Sequence, residues 1–179
     1  NKGLPTKWSD FIALEYCKLK EHLRLIIVFP VGLEKIQKVK KTLNEYGDIY
    51  YEKEIMLKNN GPKNLLVQLF KNNKELSLDL KNLLNNIDVY FNDNNTIHAF
   101  LYEEKTIGNQ KNIRQLLMGL FGSEKHSFYI SDDQEKTIRL AQTLFNENSL
   151  HFLNHSQVLL DNPINKLLEN YTVFLKTQN

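Results

Sequence analysis

The chain has 179 residues, a hydrophobic fraction of 41% and a charged fraction of 25%, which suits one domain with one sizeable core and excludes wholesale disorder. Its longest uninterrupted apolar run, Leu25 to Phe29, is far short of the roughly 20 residues a membrane-spanning helix needs. The formal net charge of +2 is too small to signal a nucleic-acid partner, and only three basic residues, Arg24, Arg114 and Arg139, carry the fork that reads phosphates bidentately.

No basic-then-apolar leader opens the sequence, so no secretory signal is read in it. The single cysteine, Cys17, forbids an internal disulfide and sits in an apolar helical stretch. A reducing, cytoplasmic setting is therefore expected. The first residue is Asn rather than Met, as in a segment trimmed or cut from a longer protein. The abundance of Lys and of Asn, 22 of the latter, points to an AT-rich genome and discounts every Lys-rich patch as a binding signal.

In chain order, WSDFIALEYCKLKEHL predicts a helix capped by Ser9 or Asp10, with Phe11, Leu14, Leu19 and Leu23 near helical spacing. LRLIIVFP is a β-branched apolar run ending at Pro30, a buried strand. GLEKIQKVKKTLNEYG places Leu33, Ile36, Val39 and Leu43 on one helical face, leaves Lys35, Lys38, Lys40 and Lys41 to solvent, and closes at Gly47. DIYYEKEIML is strand-like, with Ile49, Tyr51 and Lys53 alternating against Tyr50 and Glu52. NNGPKNLLVQLF starts a helix near Pro62, and Lys74 to Asn86 carries a further helical pattern.

IDVYF and TIHAFLYEE read as strands joined by a turn at Asn92 to Asn95. TIGNQKNIRQLLMGLFG is a helix ended by Gly122, HSFYISDD a strand, and DQEKTIRLAQTLFNEN an amphipathic helix. NSLHFLNHS reads as a last strand, before a C-terminal helix beginning at Pro163. The order strand, helix, strand, helix thus occurs twice, over about residues 23–73 and 97–148, within one domain spanning 1–179. Strand–helix–strand units favour right-handed crossovers, so the expected fold is α/β with a mixed or mainly parallel sheet of two similar halves and flanking terminal helices.

Chemistry centres on SDDQE, at the carboxyl end of a strand where ligands of open α/β sheets gather. Two readings compete there. Asp132 and Asp133, with Glu135, could hold Mg²⁺ for a nucleotide or phosphorylated ligand. Equally, Ser131-x-x-Gln134 and Asp132-x-x-Glu135 are capping-box patterns. Gly122 and Ser123 precede the aspartates much as the Gly-Ser turn precedes the paired aspartates of nucleotidyltransferases, although adjacent carboxylates on a strand point to opposite faces.

In the enzyme reading Asp132, Glu135 and His126 act on the substrate while Arg139, Ser123 and Lys125 bind it. Arg139 lies one turn past Glu135, so a Glu–Arg ion pair is the plain alternative. His151 and His155 are four apart, a metal-compatible spacing if helical, though a strand also puts them on one face. His98 and His126 would approach each other if the halves packed side by side. Phosphate loops of the GxGxxG or GxxxxGK[ST] type are absent.

Two stretches, GDIYYEKEIMLKNNGPKNLLVQLF and KHSFYISDDQEKTIRLAQTLFNENSLHFLNH, resemble segments of poorly characterised bacterial proteins in which such a module precedes a nucleotidyltransferase-like domain. That group's second segment reads HSxHIxD, a short acidic stretch, then ETIRxAxxLFNxNSIHFLN. His126, Ser127, Asp132, Glu135, Thr137, Arg139, Asn148, His151 and Asn154 match, while Tyr129 stands where a second His is usual. The resemblance implies a module of a longer protein with nucleotidyl chemistry elsewhere. Two functions are expected from all this. One is a non-catalytic recognition or oligomerisation module, partnered by another domain or a second copy; the other is a metal-dependent enzyme module working through the acidic turn.

Overall fold

The computed structural model describes residues 6–70, 84–105, 112–122 and 126–158. Its helices are α1 (Thr6–Leu19), α2 (Ile36–Tyr46), α3 (Gly61–Phe70), α4 (Asp88–Phe91), α5 (Ile113–Phe121), α6 (Gln134–Leu144) and α7 (Glu147–His155). Its strands are β1 (Leu23–Val28), β2 (Gly47–Met56), β3 (Thr96–Glu104) and β4 (Phe128–Ile130), and a 3-10 stretch, Pro30–Lys35, leads into α2.

The strands form one sheet in the order β2-β3-β1-β4, and every neighbouring pair is antiparallel. This overturns the expected mixed or mainly parallel sheet. The two strand–helix–strand units, β1-α2-β2 and β3-α5-β4, are both present, and within each the two strands run the same way. They are not neighbours, however. β3 is inserted between β1 and β2, and β1 between β3 and β4, so each crossover spans one intervening antiparallel strand. This interlocked, split βαβ connectivity is the ferredoxin-like arrangement.

β1 explains why the arrangement is stable. Leu23, Leu25, Ile26, Ile27 and Val28 are all buried, so neither face of this strand meets water. Ile26 and Val28 point toward α2 and α5, into a core with Val39, Leu43, Phe100, Tyr102, Leu117 and Phe121. Leu23, Leu25 and Ile27 point the other way, where α1, α3, α4, α6 and α7 supply a second core with Cys17, Leu65, Leu66, Phe91, Leu140 and Phe145. Each such side chain contributes about 1.5–3 kcal/mol by leaving water. Helices therefore cover both faces of an antiparallel sheet that could have left one side wet.

β2 breaks the alternation read from its sequence. A bulge between Ile49 and Tyr51 leaves Ile49 opposite Tyr102 but Tyr51 opposite Leu101. The extra residue switches the faces, so Ile49 joins the α2/α5 core while Tyr50 and Tyr51 pack on the other.

Three further expectations are corrected. IDVYF forms the short helix α4 rather than a strand, and NSLHFLNH forms α7, capped by Asn146, whose side chain accepts from the Ser149 N–H. α1 starts at Thr6, so Ser9 and Asp10 lie inside it and do not cap it. Its core face is Asp10, Ala13 and Cys17, whereas Phe11 and Leu19 are exposed. Asp10 is buried because Lys53 Nζ (2.6 Å) and the Tyr51 hydroxyl (2.7 Å) both donate to it, pinning α1 to the edge strand β2. A buried carboxylate requires such compensation, since unpaired burial of charge costs several kcal/mol. Burial also pushes the Cys17 thiol up to about 11, as befits a structural rather than reactive cysteine. Residues 74–83 of the Lys74 to Asn86 pattern, and the helix read from Pro163 onward, lie outside the described residues.

Candidate functional site

The acidic turn joins β4 to α6, and the packing around it begins at Ser131. The Ser131 N–H donates to the Leu25 carbonyl (3.0 Å), as the next rung of the β1–β4 ladder. The return bond is made by the side chain: Leu25 N–H donates to Ser131 Oγ (2.8 Å). Ser131 Oγ lies 2.6 Å from Thr137 Oγ1, which is in turn 2.7 Å from the Asp133 carbonyl and 3.1 Å from that of Leu23. An N–H can only donate and a carbonyl only accept, so the direction is forced. Ser131 donates to Thr137, and Thr137 donates to a carbonyl. Ser131 and Thr137 are both buried, and with these bonds neither hydroxyl is left unpaired.

Asp133 is the N-cap of α6: its side chain accepts from the Lys136 N–H at 2.7 Å, in extended backbone geometry. Asp132 is exposed and pairs with Arg114 (2.9 Å) and Lys136 (3.2 Å). Arg114, from the first turn of α5, also donates to the Ile130 carbonyl (3.2 Å). Gln134 donates to the carbonyls of Cys17 (2.7 Å) and Lys20 (3.0 Å), satisfying the carboxyl end of α1. The turn thus ties together β1, β4, α1, α5 and α6. Both aspartates act within the protein itself.

The other expected residues do not converge there. Glu135 is exposed and makes no ion pair with Arg139. His126 precedes β4 while Asp132 follows it, so the strand separates them by roughly 20 Å at about 3.3 Å per residue. His126 is exposed and lies edge-on to Tyr90, with ring centroids 4.6 Å apart. Ser123 and Lys125 lie outside the described residues. Among the described residues no group of three or more His, Cys, Asp or Glu side chains is arranged to hold a metal ion. Asp132 and Asp133 are therefore left with each other and Glu135 as oxygen donors for Mg²⁺, and Asp132 is already bound to two cations.

Two polar clusters escaped the sequence reading. At one end of the sheet, Lys20 Nζ stands 2.6 Å from Glu103 and 2.5 Å from the Tyr50 hydroxyl, which itself donates to Glu103 (2.6 Å). Lys20 and Tyr50 hold the Glu103 carboxyl below its ordinary value, and Glu103 with Tyr50 raises Lys20. At the other end, buried His98 stacks on Phe100 and faces Glu52 at 3.3 Å, while Lys40 pairs with Glu52 at 2.9 Å. Burial and the Lys40 charge lower His98 more than Glu52 and Glu54 raise it. Burial works against the Glu52 charge, but Lys40 and His98 outweigh it and leave that carboxyl low. His98 and His126 do not meet, because β1 runs between their strands. The charge alternation Glu52-Lys53-Glu54 on an edge strand was the available signal for the second cluster, while nothing local in the sequence marks the first.

Two clefts flank α1. One, of about 210 Å³, is lined by residues including Ile12, Tyr16, Tyr50 and Tyr51; the other, of about 250 Å³, by residues including Asp10, Phe11, Leu14 and Phe145. Both fall below the roughly 300–1,000 Å³ of typical small-molecule sites, and neither includes His126 or the acidic turn. No helix among the described residues is long and apolar enough to cross a membrane. No protein-family model matches the chain, and no curated protein matches it.

Two measurements check this geometry. In chemical denaturation, Ser131→Ala is expected to cost about 1–3 kcal/mol by orphaning the buried Leu25 N–H. Asp133→Ala should cost about 1 kcal/mol as a lost cap, and Asp132→Ala no more than about 1 kcal/mol as an exposed pair. The second concerns pH. A histidine lowered in the folded state binds fewer protons there than when unfolded, so stability falls as pH drops through the ordinary histidine value of about 6.5. Thermal melting followed between about pH 7.5 and 5.5 is expected to show that loss, and His98→Gln to flatten it.

Proposed function

We propose that this domain is a non-catalytic contact module through which two copies of the chain associate, and that α1 is the contact element. The observation that carries this reading is the outer face of α1. Trp8 is 54% exposed, Phe11 54%, Ile12 52% and Leu19 83%. Side chains at 8, 11, 12 and 19 share one helical face, and their exposed parts make an apolar patch on the order of a few hundred Å². The largest apolar patch of a monomer is commonly of that size and is often functional.

A second copy is the partner that fits. An apolar stripe on a single helix is self-complementary when two such helices cross about a two-fold axis, which is the commonest symmetry of soluble oligomers. Glu15 stands within the stripe, paired with Lys18 at 2.7 Å, and Lys7 and Lys18 border it, so both signs of charge are at hand for an isologous contact. The two clefts beside α1 give the partner helix shallow grooves to settle into. The resemblance to modules beside a nucleotidyltransferase-like domain accords with a supporting role. The alternative, a metal-dependent enzyme module at Asp132 and Glu135, gains no support: its carboxylates are engaged or isolated, and His126 stands at the far end of β4.

Trp8 is the chain's only tryptophan, so its fluorescence reports the contact directly. Sedimentation equilibrium is expected to show a monomer–dimer equilibrium, with Trp8 emission shifting to the blue as the dimer forms. Phe11→Asp should leave a folded monomer, the charge being unpaired in an apolar interface. A wild-type chain that stays monomeric, with unshifted emission, up to concentrations on the order of 100 μM would overturn the reading.

A further inference from the structure

α7 carries two histidines, His151 and His155, that the sequence alone left undecided between a helix and a strand. In the structure they are four apart on a helix, both exposed, with ring centroids 4.2 Å apart and the rings edge-to-face. Helical residues four apart stand one above the other on the same face. Two imidazole nitrogens bound tetrahedrally to one zinc ion, each at about 2.0–2.1 Å, lie about 3.3 Å from each other. Rings already this close reach that separation by rotating about their own side-chain bonds, and their exposure leaves room to do so.

A third side chain stands beside them, on a loop whose backbone is tied to α7. The Asn59 amide nitrogen is 3.4 Å from His155 Nδ1. Asn59 adopts the left-handed conformation, φ 48°, which Asn tolerates better than most residues. Its loop is clamped to α7 from both sides. Lys58 N–H donates to Asn154 Oδ1 (2.9 Å) and Asn60 N–H to the Asn154 carbonyl (3.1 Å). The Asn60 amide reaches the Ser156 carbonyl (3.1 Å), and the Asn64 amide that of Leu153 (2.8 Å). Gly61 has no side chain because a Cβ there would run into Asn154. With the Asn59 amide turned over, its oxygen accepts from Nδ1–H of His155, which fixes the tautomer and leaves Nε2 free as a ligand. The last turn of a helix, with its partial negative charge, also favours a bound cation.

We propose that His151 and His155, with Asn59 supporting His155, form a surface site for a borderline divalent transition ion, with Zn²⁺ as its representative. Two imidazoles select such an ion over Mg²⁺ or Ca²⁺, which demand oxygen donors. With only two protein nitrogens on the metal, the remaining coordination positions stay open to water or to an anionic ligand. The site uses no residue of the acidic turn or of the exposed α1 stripe, and it does not depend on the chain being a dimer.

The test uses the whole chain without any histidine tag, titrated with Zn²⁺ against a chromophoric competing chelator. Wild type is expected to bind one equivalent. His151→Ala and His155→Ala should each weaken binding at least about tenfold while circular dichroism stays unchanged, because both side chains are exposed. Asn59→Ala should weaken it by a smaller factor, and His22→Ala not at all. Equal affinity in wild type and both α7 variants, or no competition by wild type up to zinc concentrations on the order of 100 μM, would overturn the proposal.

Discussion

The structure depends on β1 being buried on both faces and paired on both edges. Five of its six residues, all but Arg24, expose almost no surface, and such a strand is stable only in the middle of a sheet with a layer on each side. β3 takes one edge over its full length and β4 the other for three residues. The two crossovers carry α2 and α5 to one face. The opposite face, open in the minimal version of this connectivity, is closed by α1, α3, α6 and α7, and this face holds the larger of the two cores.

Because β4 pairs with β1 over so short a length, the β1–β4 edge draws on side chains to continue. Ser131 extends the ladder by one rung with its hydroxyl, and Thr137 receives that hydroxyl from the first turn of α6. The same few residues end a strand, start a helix and close the carboxyl end of α1 through Gln134. Asp133 serves as the cap this junction needs, and Asp132 neutralises Arg114 and Lys136 at its rim. Acidic residues placed this way interact favourably with the helix dipole.

Much of the element content was legible. The β-branched run of β1, the heptad-like faces of α2 and α6, and the glycine stop at Gly47 each identify themselves through local pattern. Strand direction was not legible, since the period of a strand says nothing about whether its crossover partner is adjacent or one position away. The bulge at Tyr50 hid the faces of β2. IDVYF and NSLHFLNH are too short for periodicity to separate helix from strand, and tertiary packing decided both. α1 misled because its larger apolar residues, Phe11 and Leu19, face outward while a carboxylate faces in. The partner that makes this tolerable, Lys53, lies 43 residues away. At the candidate site a helix cap was readable, but the capping-box patterns put it at Ser131 or Asp132, whereas the cap is Asp133, and the engagement of Asp132 by Arg114 required the fold.

The outward apolar face of α1 and the internally engaged acidic turn are the two observations behind the proposed reading, a scaffold whose polar chemistry maintains its own junctions and whose apolar surplus we propose faces a partner. Calorimetric titration with Mg²⁺ and a nucleoside triphosphate tests the first half of that account most directly. The account predicts no saturable heat for wild type and none for Asp132→Ala. Stoichiometric binding by wild type that Asp132→Ala abolishes would contradict it.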